Sequence, residues 1–222
     1  MRLSGTGITV VRGGRRVLVD LDFAATGGEA LLVTGPNGVG KSTLLRTIAG
    51  LVPRDAGSIV FESQDPRPDG ETVAEACHYL GHREALRTAL SVAENLRFWA
   101  RFLRGGPGLD SDEALDAVDL LALADLPAAY LSAGQRRRLA IARLLVVARP
   151  IWLLDEPTSA LDAASELRLV QLMRAHLAGG GLIVAATHLE LDVAPARALP
   201  LTTPAAADDI WVEDETGMEA EA

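Results

Sequence analysis

The chain's 222 residues, 49% of them hydrophobic, suffice for one domain with a sizeable core, but apolar stretches such as Ala30 to Val33 and Gly181 to Ala186 are far shorter than the roughly 18 residues a membrane span requires. The formal charge of -9 is uneven: Asp208, Asp209, Glu213, Asp214, Glu215, Glu219 and Glu221 follow the last arginine, Arg197, and without those seven the body carries -2, which argues against an extended nucleic-acid surface. The single cysteine, Cys77, excludes an intrachain disulfide and speaks against a cysteine-built metal site, and Met1-Arg2-Leu3-Ser4 enters a strand pattern with no charged and then apolar leader, so the expected setting is reducing and either cytosolic or membrane-peripheral.

From the N-terminus, Ile8 to Val11 and Val17 to Phe23 alternate or run apolar around Gly13-Gly14, predicting a hairpin that opens a small antiparallel sheet. Ala30 to Thr34 is predicted as a buried strand, leading through a glycine-punctuated loop into a helix from about Lys41 to Ala49. That loop, Gly35-Pro36-Asn37-Gly38-Val39-Gly40-Lys41-Ser42 followed by Thr43, satisfies the phosphate-loop pattern G-x-x-x-x-G-K-[ST]. Glycines there let successive backbone N–H groups curve around phosphates, the helix N-terminus adds its positive end, Lys41 meets the outer phosphates and Ser42 holds magnesium. Of 21 basic residues, Lys41 is the only lysine. A compact ammonium on a flexible stem fits between two phosphates where a planar guanidinium does not. By itself this loop fits a kinase, a GTPase or a transporter ATPase equally well.

Further along, Cys77 to Leu80 reads as a strand, which would set His78 and His82 about 13 Å apart at some 3.3 Å per residue, too far to share an ion. Apolar residues recur at helical spacing from Leu86 to Leu103 and from Ser111 to Ala124, broken by Arg104-Gly105-Gly106-Pro107-Gly108, predicting a mainly helical lobe. Leu131-Ser132-Ala133-Gly134-Gln135 then precedes Arg136 to Val147, with Ser132 and Gln135 spaced as a capping box. Ile151 to Leu154 and Leu182 to Ala186 are predicted as buried parallel strands, separated by a helix near Ser165 to Ala178 whose Leu169, Met173 and Leu177 share a face. The first of these strands ends in Asp155-Glu156, two carboxylates that need cationic partners, supplied by magnesium and a polarised water. Beyond about Thr203 the alanine-rich, acidic composition predicts a disordered tail.

The motifs together resemble the ATP-binding-cassette family over roughly residues 3 to 200. Leu131 to Gln135 resembles its LSGGQ signature, with Ala133 replacing one glycine; Pro157-Thr158-Ser159-Ala160-Leu161-Asp162 resembles the D-loop, and Thr187-His188 the switch histidine. The resemblance implies a P-loop NTPase fold of α/β class, with a parallel core sheet, a small antiparallel β subdomain and a helical subdomain at about residues 84–145. Residues 1–203 would form the ATP-binding domain and 204–222 the acidic tail. It also implies that Asp155 acts on the metal with Ser42, Glu156 polarises the attacking water, His188 contacts the γ-phosphate, and Ser132, Gly134 and Gln135 serve the nucleotide of the opposite subunit in a homodimer. Two positions depart from the family pattern. His82 stands where the Q-loop usually carries glutamine, and Val10, Val11 and Arg12 stand where an aromatic usually stacks on adenine, so base contact there is expected to be apolar or through Arg12.

Within the family, Tyr79-Leu80-Gly81-His82 and Leu90-Ser91-Val92-Ala93-Glu94-Asn95-Leu96-Arg97-Phe98-Trp99 resemble the ATP-binding subunits of cytochrome c maturation haem exporters, a group with histidine in the Q-loop. That likeness implies a B-type permease and a C-type haem-handling membrane protein as partners, with the chain peripheral at the cytoplasmic face of the inner membrane. It places haem on those partners, not on Cys77, His78 or His82, while the near-neutral body gives no reason to expect a nucleic-acid partner. Other cassette exporters, or a soluble cassette ATPase, are the alternatives.

Overall fold

Alternating residues near the N-terminus and continuous apolar runs further on build two different sheets. The structure, a computed structural model, describes residues 1–63, 72–103, 105–188 and 191–203. Its elements are β1 (Arg2–Arg12), β2 (Arg15–Thr26), β3 (Ala30–Thr34), α1 (Lys41–Ile48), β4 (Ala56–Glu62), β5 (Cys77–Leu80), α2 (Val92–Phe102), β6 (Gly106–Pro107), α3 (Ser111–Ala117), α4 (Ala133–Ala142), β7 (Val147–Ala148), β8 (Ile151–Asp155), α5 (Ala163–Ala178), β9 (Leu182–Ala186) and β10 (Ala196–Pro200). The predicted tail after Thr203 lies outside the described residues.

The hairpin forms as expected. Arg12 pairs with Arg15 across Gly13-Gly14, whose φ values of 57° and 74° suit the two-residue turns that match strand twist. β4 adds to the other edge of β1, giving an antiparallel sheet of order β2-β1-β4. The second sheet has order β10-β3-β9-β8-β5 and is parallel throughout. A parallel sheet is covered on both faces, which is why its strands carry near-continuous apolar runs. Here Ile151 and Leu153 of β8 pack with α1 and the antiparallel sheet, while Trp152 and Leu154 pack with the helical lobe and with Leu169, Met173 and Leu177 of α5.

The helical lobe is shorter in helix than its periodicity predicts. α2 begins at Val92, not Leu86, because Ser91 and Glu94 close a capping box there, a cap that contributes about 1 kcal/mol. Asn95 also holds the preceding segment out of the helix: its amide donates to the carbonyls of Arg87, Leu90 and Ser91 and its oxygen accepts from the Arg87 N–H. The predicted helix from Ser111 to Ala124 stops at Ala117, since Asp119 takes a left-handed φ of 57° and Arg138 binds the carbonyls of Val118 and Asp119; a single 3-10 turn follows at Leu121–Leu123. Past Ala142 the chain leaves α4 by turns and pairs as β7 with β6. Among the described residues no helix is long and apolar enough to cross a membrane.

Candidate functional site

Three neighbouring strands, β3, β9 and β8, end side by side, and their C-terminal ends carry the phosphate loop, His188 and Asp155-Glu156. The edge of a parallel sheet is where doubly wound folds bind ligands. The loop between β3 and α1 turns on Gly35, Gly38 and Gly40, at φ 136°, 79° and 113°. Any side chain would be strained at those angles, and a Cβ on Gly35 would also lie 2.5 Å from the Leu201 carbonyl oxygen. Pro36, Asn37 and Gly38 are exposed, whereas Val39 is packed into the core, so Val39 serves the loop by anchoring it and presents only backbone to a ligand. Lys41 is buried, and its Nζ donates to the carbonyls of Gly35 (2.7 Å) and Pro36 (3.1 Å), so that the loop curls around an ammonium. No side chain caps the N-terminus of α1, whose N-cap is Gly40, and its first N–H groups are the kind that bind phosphate. Thr43 follows on α1, half-buried.

Strand periodicity decides where Asp155 points. Residues 151, 153 and 155 face α1, so the Asp155 carboxylate, almost fully buried, meets Ser42 on that helix: Ser42 Oγ donates to Asp155 Oδ1 at 2.8 Å. The other oxygen, Oδ2, accepts from the Tyr79 hydroxyl at 3.2 Å and lies 3.9 Å from the Arg46 guanidinium, which itself donates to the Tyr79 oxygen at 3.1 Å. Burial raises the Tyr79 phenol above its ordinary pKa, and the hydrogen bond to Tyr79 raises Arg46, so both stay protonated near neutral pH. A hydroxyl and a carboxylate oxygen converging beside a phosphate loop form an all-oxygen donor pair, which fits a hard cation such as Mg2+.

Glu156 leaves the strand. Its φ of 46° is left-handed, which costs a non-glycine residue about 1–2 kcal/mol, and it turns the side chain away from Asp155 toward β9. There Glu156 Oε2 lies 2.9 Å from Nδ1 of His188, itself largely exposed. Residue order alone does not show this pairing of Glu156 with His188, for which the resemblance implies only a contact to the γ-phosphate.

The signature segment behaves as its capping box predicts. Ser132 is the N-cap of α4, Gln135 N–H donates to Ser132 Oγ at 3.2 Å, and Ser132 N–H donates to Gln135 Oε1 at 2.8 Å. Ser132 and Ala133 are exposed, and Gly134 lies against the D-loop, where an added Cβ would come 3.0 Å from the Ala160 carbonyl oxygen. Ser132 to Gln135 are therefore presented outward at a helix N-terminus and are not drawn into the Ser42–Asp155 and Glu156–His188 pairs of their own chain. Asp162, closing the D-loop, caps α5 through the Ser165 N–H.

His82 is exposed, just beyond β5, and lines a hollow of about 440 Å³ with Arg46, Tyr79, Gly81 and Arg83. His78 points the other way, into the core, where its Nε2 lies 2.7 Å from the Val147 carbonyl oxygen and burial lowers its pKa to about 3. Of the residues expected near adenine, Val10 is fully buried in the apolar cluster, Val11 is half-buried and Arg12 is exposed. Sequence reasoning gave no site role to Tyr79, Arg46 or Arg137. Arg137, on α4, is almost fully buried and donates to the carbonyls of Gly81, Asp155, Glu156 and Pro157.

The family described as ABC transporter matches residues 18–159. The Cytochrome c biogenesis ATP-binding export protein CcmA of Rhodopseudomonas palustris is 61% identical over 193 residues, covering 87% of this chain and 94% of that one. Its namesake from Nitrobacter winogradskyi is 59% identical over 194 residues, covering 87% and 95%. Among solved structures, the dimeric post-hydrolysis state of the ATP-binding cassette MJ0796 bound to ADP and Pi superposes with a TM-score of 0.73 at 25% identity, over 90% of this chain and 96% of that one.

Proposed function

Because the chain belongs to the ABC transporter family and, within it, groups with the cytochrome c biogenesis ATP-binding export proteins, we propose that it is the ATP-hydrolysing subunit of a cytochrome c maturation exporter, powering haem export or release of a haem-loaded chaperone. The observation that carries this reading is the convergence, at one sheet edge, of the Lys41 loop, the Ser42–Asp155 pair and the Glu156–His188 pair. Residues 1–203 act as the ATP-binding unit, with 84–145 as its helical lobe.

The triphosphate lies along the N–H groups of Gly38 to Thr43, with Lys41 exchanging its loop carbonyls for phosphate oxygens. Ser42 and Asp155 would hold Mg2+, which would offset the charge on the outer phosphates. Tyr79 fixes Asp155 through Oδ2 and so keeps Oδ1 turned toward Ser42. Glu156 accepts the proton of the attacking water or orients it, and His188 holds the base in place by donating from Nδ1 to Glu156; with protons on both ring nitrogens it also donates from Nε2 to the γ-phosphate. The outward N-terminus of α4 serves the nucleotide of a second copy, so the working form is a dimer.

Second-layer groups that orient a metal ligand matter nearly as much as the ligand. The Tyr79→Phe variant is expected to need about 10-fold more Mg2+ for half-maximal hydrolysis. It should also bind Mn2+ more weakly by electron paramagnetic resonance, while ATP affinity without metal stays within about 3-fold. An unchanged metal requirement would remove Tyr79 from the site.

The permease meets the chain beside His82, at a cleft of about 440 Å³ whose lining includes Leu51, Arg83, Trp99, Leu103 and Arg143. This contact holds the chain peripheral at the cytoplasmic face of the inner membrane, with a C-type haem-handling membrane protein as a further partner of the assembly. Cells deprived of the chain should lose covalent haem in their c-type cytochromes and regain it with the wild-type gene. The His82→Gln variant should keep most ATPase activity yet restore cytochromes poorly. Normal cytochromes in cells without the chain would refute the function, and equal loss of ATPase and assembly in His82→Gln would make His82 a structural residue only.

A further inference from the structure

Three consecutive arginines, Arg136 to Arg138, follow the first three residues of α4, and at 100° per residue they point in three directions. Arg136 reaches the Leu131 carbonyl and Arg138 those of Val118 and Asp119. Only Arg137 turns into the protein, under the end of β8. It retains 3% of its accessible surface, and its four hydrogen bonds all go to backbone carbonyls: Nε to Pro157 at 3.2 Å, Nη1 to Gly81 at 2.7 Å, and Nη2 to Asp155 at 3.1 Å and Glu156 at 2.7 Å. A planar fork of fixed donors suits carbonyls arriving from two separate segments, which a lysine's single ammonium does not match.

We propose that Arg137 is a positioning residue for hydrolysis: its guanidinium clamps the left-handed backbone of Glu156 and ties it to Gly81, the residue before His82, so that the general base and the permease-facing loop move as one unit. This rests on the reading of Glu156 as the base. Two observations favour it over a filler role. The carbonyl Arg137 holds most closely beside that of Gly81 belongs to Glu156, whose strained φ of 46° needs a partner to persist. The bond to Gly81 spans 56 residues of sequence and joins α4 to the loop at the end of β5, while Nη2 of the same guanidinium holds the end of β8, with no other side chain interposed. A displacement of Gly81 and His82 therefore moves the guanidinium, and through it the Glu156 carbonyl. Gly81 also leaves no room for a side chain, since an added Cβ would lie 2.7 Å from the Tyr79 ring.

The test uses the full chain assembled with its permease. In Arg137→Lys, kcat is expected to fall about 10–100-fold, the scale of a misplaced catalytic group, while KM for ATP stays within about 3-fold. Permease stimulation of the ATPase should vanish. In a Glu156→Gln background, adding Arg137→Lys should change the residual single-turnover rate by less than about 3-fold, since the group it positions is already gone. If the lysine variant does not assemble, Arg137→Gln, whose amide reaches one or two of the same carbonyls, is measured in the same way. Parallel loss of ATP binding and kcat, or multiplicative losses in the double variant, would overturn the positioning role. Retained permease stimulation would overturn the link to Gly81. A Glu156→Gln variant that hydrolyses ATP normally would instead overturn the identity of the base, whatever Arg137 does.

Discussion

Replacing Glu156 with glutamine is expected to lower ATP hydrolysis by about 10²–10⁴-fold, the usual contribution of a positioned general base, while leaving ATP binding intact. Glutamine keeps the size of the side chain and its ability to accept from His188 Nδ1, at present 2.9 Å from the carboxylate, but it cannot take a proton from water. Lys41 and the Ser42–Asp155 pair are untouched, so nucleotide still docks and an ATP-locked dimer accumulates. The measurement is turnover in the assembled complex together with size-exclusion chromatography in ATP. Near wild-type turnover would show that another group activates the water.

The second large effect concerns the phosphate loop and its partner across the dimer. Lys41→Ala removes an ammonium held 2.7 Å from the Gly35 carbonyl, and the loss of one charge-assisted contact to phosphate should weaken ATP binding by about 10–100-fold. Ser132→Arg leaves the loop intact but destroys the capping box and fills the outward face of α4. Neither variant alone should hydrolyse ATP. In their heterodimer, one composite site holds both defects and the other holds none. Random exchange of equal amounts should therefore restore roughly a quarter of wild-type activity if one intact site suffices. No recovery, with heterodimers shown to form, would mean either that both sites are required or that Ser132 acts within its own chain; a crosslink from Ser132 to the opposite loop, trapped with ATP, separates those two.

Much of this machinery was legible because it is local. A phosphate loop depends on consecutive backbone N–H groups, so its glycines and Lys41 must be contiguous, and the capping box at Ser132 and Gln135 spans one helical turn. The apolar runs of β3, β8 and β9 and the face of Leu169, Met173 and Leu177 were likewise readable from period alone. Helix ends were less so. The start of α2 depended on Asn95 binding carbonyls up to eight residues back, and the end of α3 on Arg138 from another helix.

The class of chemistry is readable from residue order, through Gly35 to Thr43, Asp155-Glu156 and the Leu131 to Gln135 signature, because each needs residues in fixed adjacent order. Tertiary structure alone decided which groups meet. Ser42 finds Asp155 from 113 residues away, since strand alternation turns 155 toward α1; Tyr79 joins them from β5 on the same face, 76 residues before Asp155. Three adjacent arginines look alike as letters. Only the rotation of α4 and the packing of β8 beneath it direct Arg137, and neither neighbour, into the carbonyls of Glu156 and Gly81. Contiguous function is written in the order of residues, whereas convergence on a buried point depends on the angle at which separate elements pack.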